Sequence, residues 1–234
     1  ELAYAASRYT EVKLDPICAE LFGGIDKNAV DMVPNYDNTT KEPVLLPTSF
    51  PNILVSANMG IAVGMASNIC SFNLAEICDG TIQILKNPDT TAEELLDIVK
   101  APDFPGGASL IYNKEQLLQI YQTGKGSFTL RARYTYNKAD NRIEIIQIPY
   151  TTTIEAITKK IVEMIKEGKL KELSDFCDET DKDGFSFTLD LKKGVNPDAL
   201  MEKLYSQTPL QNNFSCNIYI TTHIIITRST NWVS

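Results

Sequence analysis

The chain has 234 residues, of which 43% are hydrophobic and 22% are charged, and these values are typical of a globular protein with one large domain or two smaller ones. It contains no run of about 18 apolar residues and no basic, then apolar, secretory leader, so we predict no membrane span and no secretion. Five scattered cysteines without a CxxC pair, together with a single histidine, disfavour a zinc site, a disulfide scaffold and Ser-His-Asp catalysis. The odd number of scattered cysteines favours a reducing cytoplasm. The absence of an initial methionine suggests that the sequence is a piece of a longer chain.

The first half of the chain predicts short helices separated by loops. Asp15 before a proline indicates a helix start, with apolar residues at helical spacing up to Ile25. Residues 35–51 contain three prolines and no helical period, which predicts an extended connection. Asn73, Thr91 and Asn113 each precede an apolar stretch at helical spacing, and Thr91 has a glutamate three residues later, as in a capping box. We therefore predict three helices, one after each of these caps.

The second half predicts strands interleaved with helices. Apolar and polar residues alternate from 127 to 136, which predicts one continuous strand, and a turn at 137–141 returns the chain as a second strand at 142–148. The remaining predicted elements are a helix capped by Thr152 and ending at Gly168, a strand at 185–192, a helix from Asn196 and a strand at 217–226. The pattern predicts an α+β fold in which a mixed or antiparallel sheet carries packed helices.

Charge is unevenly distributed along the chain. Residues 121–142 carry five basic side chains against one acidic side chain, whereas residues 175–183 carry five acidic side chains against one basic. Binding to a polyanion depends on local lysines and arginines, so the net charge of −8 does not exclude a nucleic-acid partner. The split predicts one face toward a polyanion and another toward solvent or a protein partner.

A series of short motifs follows in a fixed order. They are RYTE at 8–11, VDMVPNYDNTTKEPVLLPTSFPNILV at 30–55, GIAVGMASNI at 60–69, APDFPGG at 101–107, TGKG at 123–126, RAR at 131–133, IPY at 148–150, DETDKDG at 178–184 and LYSQTPLQ at 204–211. In order and spacing, they resemble the A subunits of DNA gyrase and topoisomerase IV, the bacterial type IIA topoisomerases, over about residues 1–220. The chain departs from that family at Cys70-Ser71-Phe72, where the family has Pro-Pro-His, and at 151–154, so family DNA contacts there are not carried over.

The resemblance implies a domain organisation. Residues 1–34 would be the C-terminal end of a winged-helix domain that holds the catalytic tyrosine, and residues 35–223 would form a tower domain. Residues 224–234 do not follow the family pattern and receive no assignment.

The resemblance implies that Tyr9 is the nucleophile that cleaves DNA and that Arg8 stabilises the charge developing on the attacked phosphate. A phenol can attack a phosphate in line and leave a phosphotyrosyl bond, which the free 3′-hydroxyl can reverse. A guanidinium keeps its charge and matches a phosphate with a planar set of donors. An Arg-Tyr dipeptide alone is usually a surface pair, and the surrounding motifs favour the catalytic interpretation.

Four further residues are candidate DNA contacts. By resemblance, Ile61 wedges between base pairs and bends the duplex, the alternative being an ordinary core isoleucine. Lys125, Arg131 and Arg133 are candidate contacts to the phosphate backbone, with Arg131 and Arg133 predicted to share one face of a strand. The alternative for these three residues is a solvated sheet face.

The resemblance implies partners for this chain. Mg²⁺ and ATP are expected on the partner B subunit, since this chain has no P-loop and its acidic residues at 178–183 are more typical of a solvated turn than of a metal site. The expected partners are double-stranded DNA, a second copy of the chain and the B subunit, in an A2B2 complex, in the cytoplasm at the nucleoid, with no membrane. The isolated chain is expected not to cleave DNA. The alternative is a non-catalytic DNA-binding or scaffolding module with the tower fold, and the sequence does not separate gyrase from topoisomerase IV.

Overall fold

The computed structural model describes residues 6–181 and 184–219. The chain divides into two compact units, Glu1–Asn52 and Ile53–Ser234. The winged-helix and tower assignments, with their bounds at residues 34 and 35, remain predictions.

The first unit consists of short elements. A 3-10 turn at Ser7–Tyr9 is followed by helix α1 at Cys18–Leu21 and a second 3-10 turn at Ile25–Lys27. Asp15 accepts a hydrogen bond from the backbone of Ile17 at 3.1 Å, as a helix start requires. The helix nevertheless lasts only four residues, since two glycines, which are poor helix formers, follow it. The prediction of a helix with apolar residues at helical spacing up to Ile25 is therefore too long.

A β-hairpin occupies part of the predicted proline-rich connection. Strands β1 (Met32–Pro34) and β2 (Lys41–Pro43) pair antiparallel. Their turn is built by side chains, because the amide of Thr39 donates to both Asn35 Oδ1 at 3.0 Å and Asp37 Oδ1 at 3.1 Å. The Thr39 hydroxyl, which donates to Asp37 Oδ1 at 2.6 Å, and the Thr39 amide hold the pKa of Asp37 below its ordinary value.

A five-stranded antiparallel sheet and three helices form one half of the second unit. The strands are β3 (Asn58–Ala62), β4 (Met65–Ile69), β5 (Ser109–Leu110), β6 (Lys125–Arg131) and β11 (Gln211–Asn217), in the spatial order β3-β4-β11-β6-β5. Helices α2 (Leu74–Lys86), α3 (Ala92–Ile98) and α4 (Lys114–Thr123) begin after Asn73, Thr91 and Asn113. All three predicted caps are confirmed, including the capping box of Thr91 with Glu94.

A four-stranded antiparallel sheet and two helices form the other half. The strands are β7 (Arg133–Asn137), β8 (Arg142–Gln147), β9 (Leu173–Asp178) and β10 (Phe187–Leu191), in the order β7-β8-β10-β9. The helices are α5 (Ile154–Lys166) and α6 (Pro197–Gln207). Asn196 caps α6 as predicted, but α5 is capped by Thr153, one residue later than predicted, because the Thr153 hydroxyl accepts from the amide of Ala156.

The strand predicted at 127–136 is divided between the two sheets. It leaves the first sheet after Arg131 and joins the second at Arg133, with buried Ala132 between them. The amide of Ala132 donates to the carbonyl of Leu210 at 2.8 Å, and its carbonyl accepts from the Tyr205 hydroxyl at 2.7 Å. The polar groups of the crossing residue are thus satisfied by α6 and its C-terminal loop, although the alternation continues through it.

Each sheet has its own hydrophobic core. In the five-stranded half, α2, α3 and α4 pack against Phe128, Leu130 and Phe214. In the four-stranded half, α5 and α6 pack against Ile143, Ile145 and Leu189. All strand pairs in the described ranges are antiparallel, so the α+β prediction is confirmed and the option of a mixed sheet is not needed there. None of the helices within 6–181 and 184–219 is long and apolar enough to cross a membrane.

The last strand in the described part of the chain overlaps the predicted late strand only at Asn217. β11 ends at Asn217, whereas the prediction began there and ran to 226. Residues 218 and 219 are not in a strand, and residues 220–226 lie outside the described part of the chain. The β-branched run that motivated the prediction therefore follows the observed strand.

Candidate active site and nucleic-acid interface

Tyr9 is exposed at the end of a tight turn. The turn is closed by Thr10, whose amide and hydroxyl both donate to the carbonyl of Ser7, the hydroxyl at 2.9 Å. The Tyr9 side chain is 73% exposed, and the guanidinium carbon of Arg8 lies over its ring, 4.9 Å from the centroid. At this distance a guanidinium is attracted to the negative face of the ring. The predicted nucleophile and its predicted cationic helper are therefore adjacent and accessible to a ligand.

Ile61 projects from an exposed hairpin and is not a core residue. β3 and β4 pair from Asn58 with Ile69 to Ala62 with Met65, and Val63 and Gly64 form the connecting loop. Gly64 has φ +81, which meets the requirement for positive φ at the second central position of a type II turn. Ile61 is 81% exposed and Met59, two residues earlier on the same face, is 73% exposed. The alternative of an ordinary core isoleucine is therefore wrong in this chain.

The registers of the five-stranded sheet place Ile61 and Lys125 on one face. Directly opposed residues of antiparallel strands project to the same side. This rule gives a row of four side chains across four strands: Met59, Asn68, Asn217 and Lys125. Arg131 lies on the same side, because it is six residues from Lys125 on β6, while Phe128 and Leu130 point into the core.

We call this side of the sheet the outer face. Its strand residues are Met59, Ile61, Ala66, Asn68, Ser109, Lys125, Ser127, Thr129, Arg131, Gln211, Asn213, Ser215 and Asn217. None of these residues is acidic, although the whole chain has a net charge of −8. Hydroxyl, amide and cationic side chains are the groups that contact phosphate and sugar in protein–DNA complexes. The outer face can therefore follow a nucleic-acid backbone, with an apolar projection at its β3 edge.

Arg131 and Arg133 do not share a strand face, so that prediction is wrong. Arg131 donates to Gln211 at 2.5 Å and to Glu202 at 3.3 Å, and its guanidinium lies over the ring of Tyr205 at 4.9 Å. Arg133 belongs to the other sheet, where its Nη1 donates to Gln147 Oε1 at 3.4 Å. The sheet change at residue 132 separates the two arginines. The structure thus brings Ile61, Lys125 and Arg131 together and leaves Arg133 outside the outer face.

Sequence reasoning missed the polar residues of β11. The sequence pattern placed the late strand at 217–226, so of the polar residues of β11 only Asn217 was assigned to a strand, and Gln211, Asn213 and Ser215 were not. An available signal was the alternation of these polar residues with Asn212, Phe214 and Cys216, two of which are buried. That signal is weak, because asparagine is depleted in strands.

The departure at Cys70-Ser71-Phe72 lies in the core. Cys70 is fully buried, the Ser71 hydroxyl donates to the carbonyl of Asp103 at 2.5 Å, and the ring of Phe72 packs edge-on against Tyr121 at 5.9 Å. Cys70 Sγ lies 3.9 Å from Cys216 Sγ, and this contact together with burial raises the pKa of the Cys70 thiol. Buried thiols of this kind are inert toward most reagents. These residues pack against other core side chains and are inaccessible to a nucleic acid.

The acidic segment after β9 is partly engaged by one arginine. Arg142 donates to Asp190 at 2.7 Å and to Glu179 at 3.0 Å, and Asp190 in particular raises the pKa of the guanidinium. Lys182 and Asp183 lie outside the described residues. Among the side chains in 6–181 and 184–219, no group of three or more His, Cys, Asp or Glu is arranged to hold a metal ion.

Comparison with known proteins identifies the family. The model of the family of A subunits of DNA gyrase and topoisomerase IV matches residues 1–230, which extends beyond the resemblance seen in the sequence. The DNA gyrase A subunit of Metamycoplasma arthritidis is 45% identical over 217 residues, which cover 92% of this chain and 24% of that protein. The corresponding proteins of Borrelia hermsii and Pseudomonas aeruginosa are 45% and 39% identical, over 91% and 92% of this chain and 26% and 24% of their own lengths. The chain belongs to the family of gyrase and topoisomerase IV A subunits, and it spans about a quarter of the length of these relatives.

Proposed function

We propose that this chain is part of a type II DNA topoisomerase subunit that cleaves and reseals double-stranded DNA through Tyr9. The observation that carries the proposal is the exposed phenol of Tyr9 with the Arg8 guanidinium 4.9 Å from its ring centroid. The motifs around these residues match the family in order and spacing. The chain covers only a quarter of its relatives, so the activity belongs to the assembled enzyme.

The cleavage step is a transesterification. The Tyr9 oxygen attacks the phosphorus of one phosphodiester, the new O–P bond joins tyrosine to the 5′ side, and the bond to the 3′ oxygen breaks. The phenolic proton is lost to solvent, and the leaving 3′ oxygen takes up a proton. The Arg8 guanidinium stabilises the negative charge that accumulates on the phosphate. Attack by the 3′-hydroxyl reverses every step, so the phosphodiester energy is conserved.

The outer face and the β3–β4 hairpin account for how this chain would hold a duplex. Lys125 and Arg131 are separated by six strand residues, roughly 20 Å at the usual rise, which matches about six base pairs of backbone. The exposed side chain of Ile61 inserts at a base step and bends the duplex, a distortion that costs a few kcal/mol and is offset by additional wrapped contacts. Contacts to the phosphate backbone carry no direct sequence information, which suits an enzyme that acts on many sequences.

The remaining parts are proposed to come from other chains. A second copy of this chain supplies the tyrosine for the other strand, and the B subunit holds Mg²⁺ and hydrolyses ATP in an A2B2 complex. Mg²⁺ neutralises the attacking and leaving oxygens in such reactions. The described residues assemble no group of three or more metal-ligating side chains, so the residues that would hold the ion are proposed to lie on the B subunit. The isolated chain is accordingly proposed to be inactive.

The test compares Tyr9→Phe with Tyr36→Phe in the full-length protein, reconstituted with its B subunit, Mg²⁺ and plasmid DNA. Tyr36 is 96% exposed and lies in the same unit, so it is a matched control. Covalent protein–DNA complexes are trapped with detergent and quantified. We expect none from Tyr9→Phe and a normal yield from Tyr36→Phe, whereas a normal yield from Tyr9→Phe contradicts the proposal. If the wild type also fails to cleave yet binds DNA, the chain acts as a non-catalytic DNA-binding or scaffolding module.

The same reconstituted enzyme distinguishes the two branches of the family. Relaxed plasmid is incubated with ATP, and its superhelicity is measured by gel electrophoresis. Negative supercoiling assigns the chain to gyrase, and preferential unlinking of joined circles assigns it to topoisomerase IV.

A further inference from the structure

The junction between the hairpin that carries Ile61 and the rest of the five-stranded sheet is short in the described part of the chain. β3 is an edge strand, and all five of its residues are exposed. Within the described residues, the backbone register between β4 and β11 consists of the single pair Asn68 and Asn217. A two-stranded hairpin is only marginally stable by itself in water. The contacts that fix the orientation of the hairpin relative to the rest of the sheet must therefore lie close to this pair.

Two asparagine side chains reinforce this junction from opposite directions. Asn68 Nδ2 donates to the carbonyl of Ser215 on β11 at 2.6 Å, and Asn217 Nδ2 donates to the carbonyl of Ala66 on β4. Ala66 is the residue directly opposite Ile61 in the hairpin register. The Asn217 hydrogen bond therefore links β11 to Ala66, the β4 residue that is paired with the exposed Ile61.

The hydroxyl of Ser67 on β4 adds two hydrogen bonds to the backbone of the β11 end. It donates to the carbonyl of Asn217 at 3.3 Å and accepts from the amide of Tyr219 at 3.2 Å. The chain has left strand geometry after Asn217, so the Ala66 carbonyl receives its hydrogen bond from a side chain. The Asn217 Oδ1 atom is buried without a partner among the described residues. The amide is thus used as a donor, which an aspartate or an aliphatic side chain does not provide.

We propose that Asn68 and Asn217 are positioning residues that fix the β3–β4 hairpin so that Ile61 can enter a base step. The proposal rests on the proposed function, since it requires Ile61 to act as a wedge. A wedge must withstand the restoring force of the stacked bases, and a site is effective only when its support is rigid. Without the two side-chain hydrogen bonds, the hairpin is held less firmly to β11 and Ile61 bends the duplex less.

The test measures DNA bending by the full-length protein in complex with its B subunit, in the presence of Mg²⁺. A short duplex carries a fluorescent donor and acceptor at its two ends, so bending raises energy transfer. The variants are Asn68→Ala, Asn217→Ala and Ile61→Ala. Asn212→Ala is the matched control, because Asn212 is on the same strand and, among the described residues, its side-chain oxygen accepts from the amide of its neighbour Asn213. A second duplex contains a two-base mismatch at the bend, which removes most of the stacking that the wedge must overcome.

The expected result is a roughly five- to tenfold lower equilibrium constant for bending in each of Asn68→Ala and Asn217→Ala, as one lost hydrogen bond predicts. Asn212→Ala should bend like the wild type. On the mismatched duplex, the two variants should bend the DNA like the wild type, while their thermal unfolding midpoints stay near the wild-type value.

Three results would overturn the proposal. If Ile61→Ala loses bending while Asn68→Ala and Asn217→Ala keep it, the wedge stands and the positioning role fails. If Ile61→Ala bends normally, the wedge part of the proposed function fails, and the positioning role fails with it. If the asparagine variants lose bending on both duplexes, or unfold at clearly lower temperature, their role is general folding and not positioning.

Discussion

Replacing Ile61 with alanine should weaken DNA deformation strongly and leave the fold intact. The side chain is 81% exposed, so most of its hydrophobic contribution is absent in the free protein and appears only when bases cover it. Isoleucine to alanine removes three carbon atoms at roughly 0.8 kcal/mol each, or about 2 kcal/mol after allowing for the part already covered. This corresponds to roughly 30-fold in the equilibrium constant of the bent complex. The free energy of unfolding should change by less than about 0.5 kcal/mol, as for other exposed sites.

The assay is titration of a linear duplex with the assembled enzyme, followed by quantification of covalently trapped DNA at equilibrium. Leu85→Ala is the control, since Leu85 is 77% exposed on α2 and loses the same number of carbon atoms. Leu85→Ala should give wild-type yields. A change in trapped yield of less than threefold in Ile61→Ala, or an equal loss in Leu85→Ala, would refute the reasoning. Insertion of the Ile61 side chain would then not supply the free energy that stabilises the bent complex.

Three further predictions concern the fold and the outer face. Gly126→Ala should lower the free energy of unfolding by about 1–3 kcal/mol in a denaturant titration. Its φ is +158 and a Cβ would lie 2.5 Å from Cγ1 of the buried Ile120, whereas Gly60→Ala, with no atom within 4 Å, should cost little. Burial and the hydrogen bond to Asp198 raise the pKa of Tyr134 to about 12 from an ordinary value of 10, so the wild type should lose stability from pH 10 to 12 as the unfolded chain ionises first. Tyr134→Phe should lose less stability over this interval, although it costs about 1 kcal/mol at neutral pH. Lys125→Gln should reduce the slope of log binding constant against log salt by about 0.9, and Lys159→Gln on α5 should not change it.

The helix starts were predictable because a cap is a local device. Asn73, Thr91, Asn113 and Asn196 each satisfy backbone amides two or three residues away, and this requirement is visible in a few letters of sequence. The hairpin at 133–147 was predictable for the same reason, since its turn and both strands are contiguous. Short-range hydrogen bonding determines such elements wherever they lie in the fold.

The sheet change at Ala132 could not be predicted from the alternation. Alternation reports which side of a strand is buried, and both sheets bury the same side of this segment. The crossing depends on Leu210 and Tyr205, which lie more than seventy residues later and supply the hydrogen bonds that let the strand leave its first sheet. The predicted pairing of Arg131 with Arg133 failed for this reason, and the DNA-contact role of both residues remains a prediction.

The acidic composition and the carboxylate-free outer face together restrict how this chain can attract DNA. The outer face carries two cations, and one of them, Arg131, is already paired with Glu202 at 3.3 Å. Its attraction for phosphate is therefore modest, because part of that charge must first be released from its partner. The other polar groups of the face, the hydroxyls and amides of β6 and β11, form hydrogen bonds of short range and depend little on salt. Under the proposed function, long-range attraction of the duplex would then come from other parts of the assembly, and this face would act once the DNA has arrived, by holding the backbone while Ile61 enters the stack.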